Sequence, residues 1–304
     1  MATATFNYEG VEVEDTFAEM FEMWVGRVLI TAENDKWARI AAEVATGFAS
    51  SIIGSPAEAG IERLLPTNET PDGRAGALIQ IYHRTRSDLK RQMVARIGQC
   101  VMTCPTTAAF NALEGTARKL KVGRSLRFFG DGFQKLDEIY GRKVWRIPVM
   151  EGEFIVEDKF GVKKGVAGGN FLVMAEDLKS GLAAAEAAVE AIRGNIRGVI
   201  LPFPGGICRS GSKVGSLKYK IPASTNHLYC PTLRDIEPES KVPEGVKTIY
   251  EVVINGLGLS EVKTAMAEGI RAAVKVPGVI RISAGNYGGK LGQHKLYLRE
   301  LLGG

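Results

Sequence analysis

The chain repeats itself, and the repeat limits the folds open to it. Arg27-Val28-Leu29-Ile30-Thr31-Ala32-Glu33 leads into the pattern KWARIAAEVATG and then Ser51-Ile52-Ile53. Asn170-Phe171-Leu172-Val173-Met174-Ala175-Glu176 leads into LKSGLAAAEAAVEAIRG and then Val199-Ile200-Leu201. Short apolar runs bounded by turn residues predict strands, and apolar residues three and four apart predict amphipathic helices. A second matched pair follows in each half. It sets Leu78–Tyr82, SDLKRQMVARIGQ and Val101–Thr103 against Ile249–Ile254, SEVKTAMAEGIRAAV and Val279–Ile282. Ser87 and Ser260 stand where the N-caps of these helices are expected. The fold class that follows is α+β: two ferredoxin-like (βαββαβ) lobes from internal duplication, with helices on one face of each antiparallel sheet.

The halves do not abut. Residues 1–123 are expected to form the N-terminal lobe and 169–304 the C-terminal lobe. Residues 124–168 form a β-rich segment between them. Within and beside it SLRFFGDGFQ, KVWRIPVM and GEFIVEDKFGV alternate, which predicts extra strands, with Gly-Asp-Gly and Tyr-Gly-Arg as turns. A loop insertion at about 208–247 is rich in Gly, Ser, Pro and Lys. Long ordered loops in compact proteins are usually functional.

Bulk properties exclude several classes. No run approaches the roughly eighteen apolar residues of a membrane span, and the acidic, polar start MATATFNYEGVEVEDTFAEMF predicts no secretory leader. A net charge of +5 is too mild to argue for nucleic acid. Base stacking on ferredoxin-like sheets also needs aromatic runs on the central strands, which are missing. Cys100, Cys104, Cys208 and Cys230 have neither redox nor zinc spacing, and His83, His227 and His294 do not cluster with them. This predicts free thiols in a reducing, cytoplasmic compartment and no metal site. Cys208 has no base near it in sequence, which disfavours a covalent thiol mechanism. Trp37, Phe128 and Phe129 read as core.

Glu251 is the leading catalytic candidate. It interrupts the apolar run Ile249–Ile254, and alternation puts Ile249, Glu251, Val253 and Asn255 on one strand face. A carboxyl buried there would hold its proton more tightly and suit acid–base work. The competing reading is a structural glutamate paired with Lys or Arg. With a two-residue gap, Glu251 aligns with Gln80 of the first half. Glycine-rich loops follow several strands: one holds Gly169 and Asn170, one Gly205 and Gly206, one runs from Ser283 to Lys290. Glycine lets a ligand approach the backbone, although plain tight turns would use the same residues. None fits a nucleotide-phosphate motif. Ser224, Thr225, Asn226, Asn286 and Lys290 supply donors suited to a large polar ligand, or to local Asx and ST turns.

DTFAE at 15–19, RVLITA at 27–32, PAEAGIE at 56–62, ETPDGR at 69–74, IGQCVMT at 97–103 and FFGDGF at 128–133 stand in order along the chain. EGEFIVED at 151–158, GVAGGNF at 165–171, PFPGGI at 202–207, SKVGS at 212–216, PASTN at 222–226, VINGL at 253–257 and SAGNYGGKLGQ at 283–293 follow them. Together these runs resemble the formylmethanofuran:tetrahydromethanopterin formyltransferases over nearly the whole length. The resemblance implies formyl transfer between the amine of a methanofuran-type carrier and N5 of tetrahydromethanopterin, with no metal or prosthetic group. It implies two ferredoxin-like lobes and a homo-oligomer, commonly a tetramer. It also implies a catalytic glutamate on the strand entering VINGL, which is Glu251. The basic charge departs from the acidic methanogen members. It points to a methylotroph relative, a subunit of a formyltransferase/hydrolase complex serving formaldehyde oxidation. The alternatives are the same reaction in methanogenesis and a non-catalytic scaffold subunit. Furan carriers of this kind carry glutamate tails, for which Lys213, Lys218, Lys220 and Lys290 are candidate contacts.

Overall fold

The computed structural model describes residues 4–211 and 213–303. It comprises two compact units: Met23–Gly165, and the described residues of Met1–Glu22 with Val166–Gly304. The chain passes between them within two long strands, β1 (Phe17–Ala32) and β5 (Phe160–Ala175). No helix among the described residues is long and apolar enough to cross a membrane, which leaves β-barrels unaddressed.

In the unit Met23–Gly165, β1 is followed by α1 (Asp35–Thr46), β2 (Glu58–Leu65), β3 (Ala75–His83), α2 (Arg86–Arg96) and β4 (Ala108–Asn111). The strands lie in the order β2-β3-β1-β4, every neighbour antiparallel. Val28, Ile30, Ile79 and Ile81 on one face share a core with the alanines of α1 and with Leu89 and Met93 of α2. Gly26 leaves room for Met93 of α2: a Cβ would lie 2.6 Å from its sulfur. Leu29, Leu78 and Phe110 on the other face meet Val144. Val144 belongs to a meander of strands Lys135–Ile139, Arg142–Val149 and Gly152–Glu157, the last parallel to β4.

SLRFFGDGFQ is not a strand. Val122–Leu126 is a short helix that runs into a 3₁₀ turn at Arg127–Gly130. Val122 and Leu126, four apart, are its buried anchors, so the deciding period was helical. Phe128 and Phe129 are exposed and not core. Trp37 packs against the core edge as expected.

In the second unit, β5 is followed by α3 (Leu178–Asn195), β6 (Val199–Ile200), β7 (Thr248–Gly256), α4 (Leu259–Ala273) and β8 (Val279–Ser283). The order β6-β7-β5-β8 repeats that of the first unit, again antiparallel. Beyond β8 lie Val11–Glu14, paired in parallel, and Thr5–Tyr8. Phe171, Val173, Val252 and Ile254 bury themselves against α3 and α4. The opposite face carries Leu172 and Met174, covered by Val242 and Val246 of the 208–247 segment.

Two local expectations are corrected. The caps lie upstream of the serines: the Thr85 side chain accepts from the Asp88 N–H, and Gly258 caps α4 without a side chain. The partner of Glu251 in the repeat is also not Gln80. Leu29 and Leu172 are equivalent in the repeated strands RVLITA and NFLVMA; Leu29 pairs with Leu78 and Leu172 with Glu251. Leu78 is therefore the counterpart, and Gln80 matches Val253. Matching by polarity placed the gap where the hydrogen-bond register does not.

Candidate functional site

A row of residues crosses the second unit's sheet: Cys208, Glu251, Leu172 and Ser283 are successive cross-strand partners. Because partners share a face, all four project away from the helices. Glu251 is only 2% exposed, yet it lines a cleft of about 290 Å³, mouth included, with Cys208, Arg209, Asn226 and Tyr229. The cleft exists because 208–247 arches over this face.

Asn170 lies two residues before Leu172 on the same strand face. Its Oδ1 accepts the Gly285 N–H at 2.5 Å, and its Nδ2 donates to the carbonyls of Gly285 (3.1 Å) and Gly168 (2.9 Å). A Cβ on Gly285 would stand 3.1 Å from Asn170 Oδ1 and 3.6 Å from Glu251 Oε1. The Gly285 backbone is thereby pressed against both side chains. Asn255 locks the adjoining turn, its Oδ1 accepting the Gly168 N–H at 3.0 Å.

The loop after Gly285 is built around Glu19, which is 1% exposed. Its carboxylate accepts four backbone N–H groups: Tyr287 (2.7 Å), Gly289 (2.8 Å), Leu291 (2.6 Å) and Gly292 (2.6 Å). Burial pushes this carboxyl upward in pKa, but the four donors outweigh it and hold it below the usual range. Asn286 is occupied in the same loop, donating to Thr16 Oγ1 and the Phe17 carbonyl and accepting from Gly288. Lys290 is exposed on it.

The remaining sequence candidates fall in different places. Asn226 lines the cleft, and its N–H donates to the Ser210 carbonyl at 2.8 Å. Ser224 and Thr225 use their hydroxyls within the loop, toward the carbonyls of Gly215 and Ser210. Gly169 sits where a Cβ would meet Val262 of α4 at 2.3 Å, and Gly206 where one would meet Val189 of α3 at 2.9 Å. Gly169 lets the sheet approach α4, and Gly206 lets the 3₁₀ turn Pro204–Gly206 approach α3. Gly205, at φ 65°, forms the adjoining turn.

Sequence reading missed Tyr229, Glu14 and Ser283. Tyr229 lines the cleft. Ser283 is fully buried and donates to the Glu14 carboxylate, itself 8% exposed. Burial, then the charges of Glu14 and Glu251, push the Tyr229 phenol up to about 12. The alternation VEVE offered a weak signal for Glu14; nothing local marks Tyr229. Burial, and further the Glu251 charge, also push the Cys208 thiol up, so it is a poor nucleophile. Among the described residues no three His, Cys, Asp or Glu side chains form a metal-holding group.

A family model described as formylmethanofuran–tetrahydromethanopterin formyltransferase matches residues 6–149, and one described as the FTR proximal lobe matches 152–301. The chain belongs to the formylmethanofuran–tetrahydromethanopterin formyltransferase family. Its relatives include the Methanocaldococcus jannaschii enzyme of that name, 59% identical over 96% of this chain and 98% of that protein. The Methanopyrus kandleri enzyme is 58% identical over the same shares. Two solved structures superpose with a TM-score of 0.93. The Methanosarcina barkeri formyltransferase is 50% identical over 97% of this chain and 100% of its own. A chain of the Methylorubrum extorquens formyltransferase/hydrolase complex, solved with methylofuran, is 44% identical over 98% and 99%. Within this formyltransferase family member, the strand entering VINGL is β7, which carries Glu251 into the cleft.

Proposed function

We propose that the protein transfers a formyl group between the amine of a methanofuran-type carrier and N5 of tetrahydromethanopterin, with Glu251 as the acid–base group. The observation that carries this reading is a buried carboxyl lining a cleft, in a chain that shares nearly its whole length with formyltransferases. Formyl transfer between amines is a transamidation. The attacking nitrogen adds to the formamide carbon, the oxygen becomes an oxyanion, and the departing amine needs a proton while the attacking one loses its own. One carboxyl serves both transfers in turn. Asn226 is the amide side chain in the lining of the cleft.

The finer features belong to the same reading. The two strand–helix–strand–strand–helix–strand units are duplicated ferredoxin-like lobes. The protein works in the cytoplasm without a bound cofactor, as a homo-oligomer and optionally beside formyltransferase/hydrolase subunits. Its basic charge favours a methylotroph setting and its higher identities to archaeal relatives a methanogenic one; the reaction is the same. Turnover by the isolated chain would exclude a scaffold role. Glu251→Gln should preserve the fold and lower kcat by roughly 10²–10⁴, measured by absorbance with formylated furan carrier and reduced pterin. Unchanged turnover would refute the assignment.

A further inference from the structure

The ladder between β5 and β8 is finished by a side chain. Leu172 pairs with Ser283, Val173 with Ile282 and Met174 with Arg281. Continued by two residues, this register sets Asn170 opposite Gly285, on the face that carries Glu251. There the Asn170 amide acts as a neighbouring peptide would. Its Oδ1 accepts the Gly285 N–H at 2.5 Å and its Nδ2 donates to the Gly285 carbonyl at 3.1 Å. That carbonyl also accepts the Glu19 N–H at 3.3 Å. On the other side of β5, Ala167 and Gly168 oppose the single residue Asn255 in a bulge. Asn255 and Asn170 take the Gly168 N–H and carbonyl between them. Both Nδ2 protons of Asn170 are thus spent on backbone, and the residue is 4% exposed. It has no N–H left to offer a carrier.

Gly285 is equally specific. It does not have a positive φ, so its backbone conformation does not call for glycine. The space beside it does. A Cβ would stand 3.1 Å from Asn170 Oδ1 and 3.6 Å from Glu251 Oε1. Glu251 lies on β7, diagonal to Gly285 with β5 between them, so its carboxyl reaches across β5 toward that space. We infer that Asn170 and Gly285 are positioning residues for Glu251: the amide fixes the Gly285 backbone, and the room left by its missing side chain seats the carboxyl. This rests on the acid–base reading of Glu251. A carboxyl that passes protons to and from nitrogen must stand at hydrogen-bond distance from it. A displacement of about 1 Å costs on the order of a hundredfold in rate.

Gly285→Ala sets a methyl against both side chains. It should lower kcat by roughly 10–100-fold and leave KM for each carrier within about twofold. Asn170→Ala unties the Gly285 backbone and should act in the same sense. A double-mutant cycle with Glu251→Gln separates support from general structure. A support acts only through the group it holds. In the Glu251→Gln background, therefore, neither Gly285→Ala nor Asn170→Ala should lower the residual kcat further. Losses that multiply with that of Glu251→Gln would overturn the inference, because a merely structural role weakens both backgrounds alike. So would parent-like kcat in both single variants, and so would a rise in KM alone, which would make Asn170 a direct carrier contact. Should Asn170→Ala fail to fold, the Gly285→Ala cycle decides. Full turnover in Glu251→Gln itself would instead overturn the reading beneath.

Discussion

A single carboxylate organises the loop that abuts the site. Glu19 supplies two oxygens to four N–H donors between Tyr287 and Gly292. Glu19→Gln retains one acceptor oxygen and turns an amide toward the other two donors. Hydrogen bonds to a charged group are each worth about 1.5–3 kcal/mol, so the loss should be about 3 kcal/mol by denaturant unfolding. The pH dependence has a defined sign. The folded pKa of Glu19 is lowered, so its contribution is present above the unfolded value of about 4.3 and lost as pH falls through the folded value. The acid limb of a stability profile should be shallower in Glu19→Gln than in the parent, and parallel limbs would count against the role. Glu19 was invisible to sequence reading because its partners lie about 270 residues away. Glu251 was legible, since one ionisable residue interrupts an apolar strand.

At the scale of elements, what repeats locally could be read and what depends on a distant partner could not. The helices and main strands announced themselves by period. The helix at Val122–Leu126 did not, because five residues give too little period to separate from alternation. Its docking also relies on a remote feature: a Cβ at Gly123 would stand 2.1 Å from the Glu157 carbonyl oxygen. The start of α2 offers a direct test of the corrected cap. Thr85 Oγ1 accepts the Asp88 N–H at 3.1 Å, whereas Ser87 makes only a hydroxyl contact with Thr85. Thr85→Ala should cost about 1 kcal/mol, and Ser87→Ala close to nothing, in parallel thermal melts. Equal losses would return the cap to Ser87.

Across the whole molecule the strand order of one unit recurs in the other, and the cleft beside Glu251 lies in the second. The difference lies on the helix-free face. In the first unit the polar residues there satisfy one another: Gln80 Nε2 donates to Glu62 at 2.7 Å, and Glu62 is held by Arg27 at 2.6 Å. In the second, the aperiodic 208–247 segment leaves Glu251 facing a cavity. That segment also gathers basic side chains. Lys213 is engaged, its Nζ 2.8 Å from His227 Nδ1, while Lys218 and Lys220 are exposed. An anionic carrier tail passing along this loop would meet Lys218 and Lys220 in water, where attraction is screened over a Debye length of about 8 Å at physiological salt. Michaelis constants should therefore rise with sodium chloride for a furan carrier bearing carboxylates and stay nearly constant for a tail-less analogue. Changing Lys218 and Lys220 together to Ala should flatten the first curve onto the second. Parallel curves in the parent protein would assign these lysines to the solvated surface, because a tail that bypasses them loses nothing when salt screens their charge.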